Sequence, residues 1–176
     1  MRIRVSQELR QPVGTEFSLE LGRRSLFLDD EVALSDLQGS ARLLRTDRGL
    51  LVSVRARALI GGTCSRCVSP LQSPIEIDLE EEFIPIVDPV SGAHITAAEA
   101  EDNFVIDAGL TLDLGEALRQ YALISSPSKP LCRPDCAGIC PTCGANLNEG
   151  RCTCPPQMNA RWQALAAINT KDQEGS

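Results

Sequence analysis

Six of the eight cysteines in this 176-residue chain fall between Cys132 and Cys154. The run reads Cys132-Arg133-Pro134-Asp135-Cys136-Ala137-Gly138-Ile139-Cys140-Pro141-Thr142-Cys143-Gly144, and Cys152-Thr153-Cys154 follows. Proline, glycine and cysteine crowd the stretch from Lys129 to Pro156, and almost nothing there can bury a core. Such a segment needs a staple to become ordered, and a metal ion is the obvious one. The remaining two cysteines form an isolated pair, Cys64-Ser65-Arg66-Cys67.

The rest of the chain does not need disulfides. A domain of this length removes roughly 70% of its unfolded surface from water. Met1 to Val5 runs straight into polar residues with no apolar signal core, and no apolar run is long enough to span a membrane. A reducing, cytoplasmic setting is therefore expected. There, CxxC and CxxxC spacings bind metal more often than they pair as disulfides.

Structural zinc takes four ligands in a tetrahedron, often four thiolates. Cys140-Pro141-Thr142-Cys143 has the form of a zinc knuckle, with two residues letting the turn aim both sulfurs at one ion. Gly144 supplies the positive φ such a turn requires. Cys64 and Cys67 make a second knuckle. Eight thiols make two four-ligand sites, and two partitions are open. In the first, Cys140, Cys143, Cys152 and Cys154 hold one ion, while Cys64, Cys67, Cys132 and Cys136 hold the other. In the second, the knuckles join as Cys64, Cys67, Cys140 and Cys143, leaving Cys132, Cys136, Cys152 and Cys154. Short ligand loops cost less closure entropy, which favours the first. An iron–sulfur cluster would also use four thiolates. A catalytic zinc keeps one position open and usually includes histidine or carboxylate. The single histidine, His94, lies in a loop-like stretch, and no nucleophile triad or phosphate loop is present. No enzymatic activity is expected.

Around the thiols, hydrophobic periodicity outlines a sheet. Leu50 to Ile60 places Val52, Val54, Ala56 and Ala58 on one face and Ser53, Arg55 and Arg57 on the other. Thr46 to Gly49 joins it to Ala41–Arg45 as a hairpin. Ile75, Ile77 and Leu79 alternate with Glu76, Asp78 and Glu80, so Cys64 and Cys67 sit at the tip between two strands. Pairing the arginine face with the acidic face favours antiparallel neighbours. Ile3–Leu9 and Phe17–Leu21 read as weaker strands, with Arg23 and Arg24 closing the second. Leu26 to Leu37 is ambiguous, with Asp29 to Glu31 a loop or helix start. Pro85 to Asn103 reads as a mobile loop with room for one helical turn after Thr96, and Phe104–Ile106 as a short strand. Asp113 and Glu116 suggest a capping box, in which Asp113 accepts from backbone amides and Glu116 reaches back. Leu114, Leu118, Tyr121 and Ala122 share one face of that helix. Asn159 caps a final helix carrying Trp162, Leu165 and Ile168. The expected fold is α+β: a mostly antiparallel β-sheet with one or two helices and a C-terminal zinc-knuckle segment. Residues 1–128 are expected to form a β-rich core domain, and residues 129–176 a cysteine-rich zinc-binding segment with a terminal helix.

Charge is segregated. Residues 67–118 carry twelve acids and no lysine or arginine, within a chain of net charge −7. This stretch is either a solvated strand face or a docking surface for a basic partner, and it would repel phosphates.

Several of these residues together resemble the bacterial YceD family. They are Cys64-Ser65-Arg66-Cys67-Val68-Ser69-Pro70, the helix opened by Asp113-Leu114, Pro130-Leu131-Cys132, and the run Cys136 to Asn148 closing with Cys152-Thr153-Cys154. The likeness covers roughly residues 40 to 165. Where the family usually shows Asp-Pro-Arg before its last helix, this chain has Asn159-Ala160-Arg161, so only the arginine carries over. Members are called large ribosomal RNA subunit accumulation proteins. The resemblance implies a cytoplasmic, non-enzymatic factor in the synthesis, processing or stability of large-subunit (23S) ribosomal RNA. Its expected partners are pre-ribosomal RNA or ribosomal proteins, with neither a membrane nor a small-molecule substrate. Arg55, Arg57, Arg66, Arg133, Arg151 and Arg161 are the candidate contacts, set against a plainer role in surface ion pairs. Two other readings stand beside this one: a protein-docking module using the acidic middle, and a redox or zinc sensor.

Overall fold

The computed structural model describes residues 1–29, 32–95, 104–155 and 161. Eight strands form one sheet in the order β1-β8-β7-β6-β5-β4-β2, with β3 also paired to β4. The strands are β1 (Arg2–Arg4), β2 (Glu16–Glu20), β3 (Arg24–Phe27), β4 (Ala33–Arg45), β5 (Leu50–Thr63), β6 (Pro70–Pro85), β7 (Phe104–Ile106) and β8 (Thr111–Asp113). All pairings are antiparallel except β6 with β7. One helix, α1 (Leu114–Ser125), lies against β6. The α+β class with a mostly antiparallel sheet and a cysteine-bearing C-terminal segment is what forms.

The β4–β5–β6 meander is the backbone of the fold. On β5, Leu50, Val52, Val54, Ala56, Ala58 and Ile60 are buried; on β6, Ile75, Ile77 and Leu79 are. The opposite face pairs Arg55 with Asp78 and Arg57 with Glu76 across the ladder. From α1, Leu114, Ala117, Leu118 and Ala122 join the same core, and Phe83 stacks on Phe104 with ring centroids 5.1 Å apart. Burying each such aliphatic or aromatic side chain contributes about 1.5–3 kcal/mol. Pro74 sits in β6 opposite Leu59, in the part of that strand which, among the described residues, has β5 as its one partner and behaves as an edge, where proline is tolerated.

Several expectations are corrected. The ambiguous stretch Leu26–Leu37 lies largely in β3 and β4, with Asp30 and Glu31 outside the described residues. Alternation fails there because β4 carries a bulge. Ser35 faces Leu59 and Gln38 faces Arg57, so β4 holds one extra residue, and Asp36 takes φ 55°. The bulge returns Leu37 to the buried face three positions after Leu34. Arg24 does not close β2; it begins β3. The first strand stops at Arg4, and Glu8–Arg10 forms a 3₁₀ turn that buries Leu9. From Ile86 to Ile95 the chain is a small turn rather than open loop. The Asp88 carboxylate accepts from the Val90 and Ser91 amides, and Val87 bridges His94. Residues 96–103, and the terminal helix expected from Asn159, lie outside the described residues.

The capping box is half formed. Asp113 Oδ1 accepts from the Gly115 amide at 2.8 Å. Glu116 turns instead to its own helix, accepting from Arg119 at 2.8 and 2.9 Å and from Gln120 at 2.9 Å. Those donors, Arg119 first, hold its carboxyl down at about 2. An ordinary glutamate titrates near about 4.3. Because the folded value is the lower one, the stabilisation from Glu116 is present above the ordinary value and is lost as pH falls toward about 2. Side-chain carboxyl NMR is expected to show this low midpoint, and Glu116→Gln to flatten the acid limb of the stability curve in that window. A midpoint at the ordinary glutamate value would contradict it.

Candidate metal centres

The eight cysteines assemble into two groups: Cys64, Cys67, Cys132 and Cys136, and Cys140, Cys143, Cys152 and Cys154. Within each group all sulfurs lie within 4.8 Å of one another. The partition joining the two knuckles is not the one formed. In the first tetrad, Cys64 and Cys136 sulfurs are 3.8 Å apart and those of Cys67 and Cys132 are 3.7 Å apart. A disulfide needs about 2.05 Å. Four thiolates at about 2.3 Å from one ion sit about 3.8 Å apart along the tetrahedron's edges. The geometry fits four ligands on one ion.

Local sequence builds both knuckles in one way. The Val68 amide donates to the Cys64 carbonyl at 2.9 Å, and the Cys64 amide donates to Ser69 O at 2.9 Å. In the other, the Gly144 amide donates to Cys140 O at 2.9 Å and the Cys140 amide to Ala145 O at 2.8 Å. Each turn puts the residue after its second cysteine in the left-handed region, Val68 at φ 61° and Gly144 at φ 74°. A β-branched residue is costly there, by roughly 1–2 kcal/mol. Val68 is 61% exposed, so trimming it loses little packing. Val68→Gly is expected to raise stability by up to about 1 kcal/mol after the entropic cost of glycine, and Gly144→Val to lower it by about 1–2 kcal/mol. Thermal melts of the metal-loaded protein check both signs.

Other bonds carry the C-terminal segment onto the hairpin tip. The Ser65 amide donates to Pro130 O at 2.8 Å, and Arg66 Nη1 donates to Cys136 O at 2.9 Å. Gly138, at φ 79°, comes so near that a Cβ there would stand 3.1 Å from Arg66 O. The first tetrad is thus mostly sunk between β5, β6 and this segment: Cys64, Cys67 and Cys136 are buried with Leu71 packed on them, and Cys132 closes the set from the exposed side. The second is more open, with Cys140 buried, Cys143 exposed and Cys152 and Cys154 half-buried.

The thiols are unequal. Backbone N–H groups of Cys67 and Cys132 pull Cys64 down to about 6, while burial pushes Cys132 up to about 12. In the second tetrad the amides of Cys143 and Thr142 pull Cys140 down to about 6. Cys154 is pushed up to about 12 by its bond with Cys143 and then by burial. A metal ion must displace the remaining protons, so affinity for it rises with pH. All-thiolate sites leave no position for a reacting water. His94 is in neither tetrad.

The candidate contact arginines fall into two sets. Arg55 pairs with Asp78 at 3.7 Å and Arg57 with Glu76 at 3.1 Å, on the sheet face away from the core. Arg66 and Arg133 stand beside the first tetrad; Arg133 reaches Asn148 Oδ1 at 2.6 Å and Asp135 at 3.6 Å. Arg151 and Arg161 are exposed. In the acidic middle, the Glu80–Glu82 run is bonded internally: Glu80 accepts from Ser53, Glu81 from Tyr121, and Glu82 from Thr46. Sequence reasoning assigned no role to Asn148. It is a polar residue within the cysteine run, and only the folded chain shows that it meets Cys136 Sγ, at 3.4 Å.

No helix among the described residues is long and apolar enough to cross a membrane. An uncharacterized protein of Mycobacterium tuberculosis is 34% identical over 139 residues, 79% of this chain and 64% of its own length. A Mycobacterium bovis protein, also uncharacterized, matches to the same extent. The chain therefore spans a little under two thirds of these relatives. A maize protein named large ribosomal RNA subunit accumulation protein YCED homolog 1, chloroplastic, is 38% identical over 65 residues, 36% of this chain and 19% of its own. No solved structure matches the chain. The family model for large ribosomal RNA subunit accumulation protein YceD matches residues 52–169, from β5 past the second tetrad, and the chain belongs to that family.

Proposed function

We propose that this protein is a non-enzymatic, cytoplasmic accessory factor in large-subunit (23S) ribosomal RNA synthesis, processing or stability, ordered by two structural zinc ions. The observation that carries the reading is a pair of closed four-thiol sets in a chain of a family described by large ribosomal RNA subunit accumulation. Zinc is favoured over an iron–sulfur cluster by spacing. A cluster spreads its thiolates over several irons, whereas sulfurs 3.7 and 3.8 Å apart suit one ion. The ions' role is to order residues 129–155 and sew them to the β5–β6 tip. On this reading the boundary between the β-rich part and the zinc-binding segment falls near residue 128, and the first tetrad straddles it.

Partner contact is assigned to Arg66 and Arg133 beside the first tetrad, to Arg151 next to Cys152, and to the exposed Arg161. Arg55 and Arg57 contribute less, because they stand on the outer face of the β5–β6 ladder rather than beside a tetrad. Guanidinium groups suit phosphate. The chain has one tryptophan, one tyrosine and four phenylalanines, which argues against stacking single-stranded bases. Shape recognition of structured RNA, or of a ribosomal protein, fits better. In-cell cross-linking with identification of the bound RNA and protein tests this. Enrichment of large-subunit precursor RNA or its proteins, reduced by charge removal at Arg133 and Arg151, is expected. Recovery of neither class would overturn the reading.

A further inference from the structure

Asn148 belongs by sequence to the second tetrad, in the loop between Cys143 and Cys152, yet it makes much of its bonding to the first. Its Nδ2 donates to Cys136 Sγ at 3.4 Å. Its Oδ1 accepts from the Ala137 amide at 2.9 Å and from Arg133 Nη2 at 2.6 Å. These three contacts grip the ligand loop from Cys132 to Cys136 at both ends. Asn148 is itself held from its own side, because its amide and its Nδ2 both donate to Asn146 Oδ1, at 3.1 and 2.8 Å. Asn146 Nδ2 donates in turn to Glu149 Oε1 at 2.8 Å. The Leu147 amide donates to Gly138 O at 2.9 Å, fastening the same loop just beyond Cys136.

Among the described residues, the loop between Cys143 and Cys152 is otherwise held by backbone bonds alone, the Ile139–Asn146 bridge and the Cys140–Ala145 and Glu149–Asn146 bonds among them. Among the described residues, no side chain from Ala137 to Pro155 belongs to the main hydrophobic core. Its two ends are Cys143 and Cys152, which a metal ion in the second tetrad would tie together. Resting on the metal reading above, we propose that the two tetrads are energetically coupled, with Asn148 as the positioning residue. An ion in the Cys140 tetrad fixes the loop that delivers the Asn148 amide to the Cys136 thiolate, and so raises the affinity of the Cys64 tetrad.

The chemistry is that of an outer-shell donor. An N–H aimed at a metal-bound thiolate spreads its negative charge and fixes the sulfur's orientation, and losing such a partner typically lowers metal affinity about 10–100-fold. Arg133 acts through the same amide: its guanidinium on Oδ1 orients the group so that Nδ2 faces sulfur. Coupling between binding sites is reciprocal, so filling the Cys64 tetrad tightens the Cys140 tetrad by the same factor.

Residue-resolved thiol alkylation tests the proposal on the full chain. Mass spectrometry reads the labelling of Cys64 and Cys67 across a series of zinc-buffered solutions. The free-zinc level giving half-protection is compared in four proteins. These are the parent, Asn148→Asp, a variant with all four second-tetrad cysteines changed to serine, and the combination of both changes. Asn148→Asp keeps the acceptor oxygen for Ala137 and Arg133 but removes the donor to sulfur. The expected result is a rise of about tenfold or more in the half-protecting zinc level, both for Asn148→Asp and for the serine variant. In the combined protein, Asn148→Asp adds nothing further. A merely structural asparagine would give additive losses. Coupling through Asn148 is overturned if the serine variant protects Cys64 and Cys67 within twofold of the parent. It is equally overturned if Asn148→Asp leaves protection unchanged, or if the two effects add. If zinc protects no cysteine in the parent, the metal reading itself has failed, and that outcome is distinct from the other three.

Discussion

Stripping the metal with a strong chelator is expected to unfold residues 129–155 while leaving the sheet intact. The main core draws on β4, β5, β6 and α1 and contains no cysteine. The first tetrad forms a separate buried cluster of Cys64, Cys67 and Cys136, with Leu71 the one hydrophobic residue packed against it among the described residues. On the metal reading, an ion in each tetrad would supply nearly all the ordering of the segment. Structural zinc contributes about 10–16 kcal/mol in small zinc domains, more than this segment's hydrogen bonds can replace. Hydrogen exchange reads the result by residue. The amides of Ala137, Cys140, Gly144 and Leu147, all bonded in the folded segment, should exchange freely after chelation, while those of Val52 and Val54 stay protected. Cys136→Ser should free the Ala137 amide even in excess zinc, because it removes a first-tetrad thiol that also accepts from Asn148, while Cys140 and Gly144, inside the intact second turn, stay protected. Uniform loss of protection across the sheet would contradict this division.

The second large effect belongs to the core. Phe83 is fully buried, stacks on Phe104 and pairs with Leu50 on one side and Phe104 on the other. It marks the point where the antiparallel meander hands over to the parallel β6–β7 pairing. Phe83→Ala is expected to cost about 3–5 kcal/mol. That is a large part of the 5–15 kcal/mol that typically holds a domain together. Phe83→Leu keeps most of the volume and should cost far less. Denaturant midpoints measure both. At temperatures where Phe83→Ala remains folded, its metal content should equal the parent's, because the tetrads lie at the far end of β5 and β6. A loss of metal in parallel with stability would show that the two parts fold as one unit.

Much of this arrangement is legible in the sequence, and what escapes does so for physical reasons. On β5 and β6 strict alternation declares both the buried face and the arginine–carboxylate pairing, because side chains on a regular strand have a period of two. On β4 the bulge at Asp36 breaks that period, and Leu34 and Leu37 cannot be read as one face without it. The knuckles are visible from their spacing. Spacing favours the partition that forms, through its shorter ligand loops, and the fold fixes it where Pro130 lands, on the Ser65 amide. Glu116 matches a capping box, yet Arg119 and Gln120 compete for its carboxylate and win. Asn148 closes the motif run that begins at Cys136, but its role is not legible there, because its partners are a sulfur, a backbone amide and a guanidinium in another loop.

Metal content per chain is the most direct measurement. Elemental analysis by mass spectrometry should be run on the protein as purified and on two variants, each with one complete tetrad changed to serine. Two zinc ions per parent chain are predicted, with no iron. Loss of the Cys140 tetrad should leave at most one ion, held by Cys64, Cys67, Cys132 and Cys136. A parent protein with no zinc, whose eight thiols react freely without a chelator, would contradict the account.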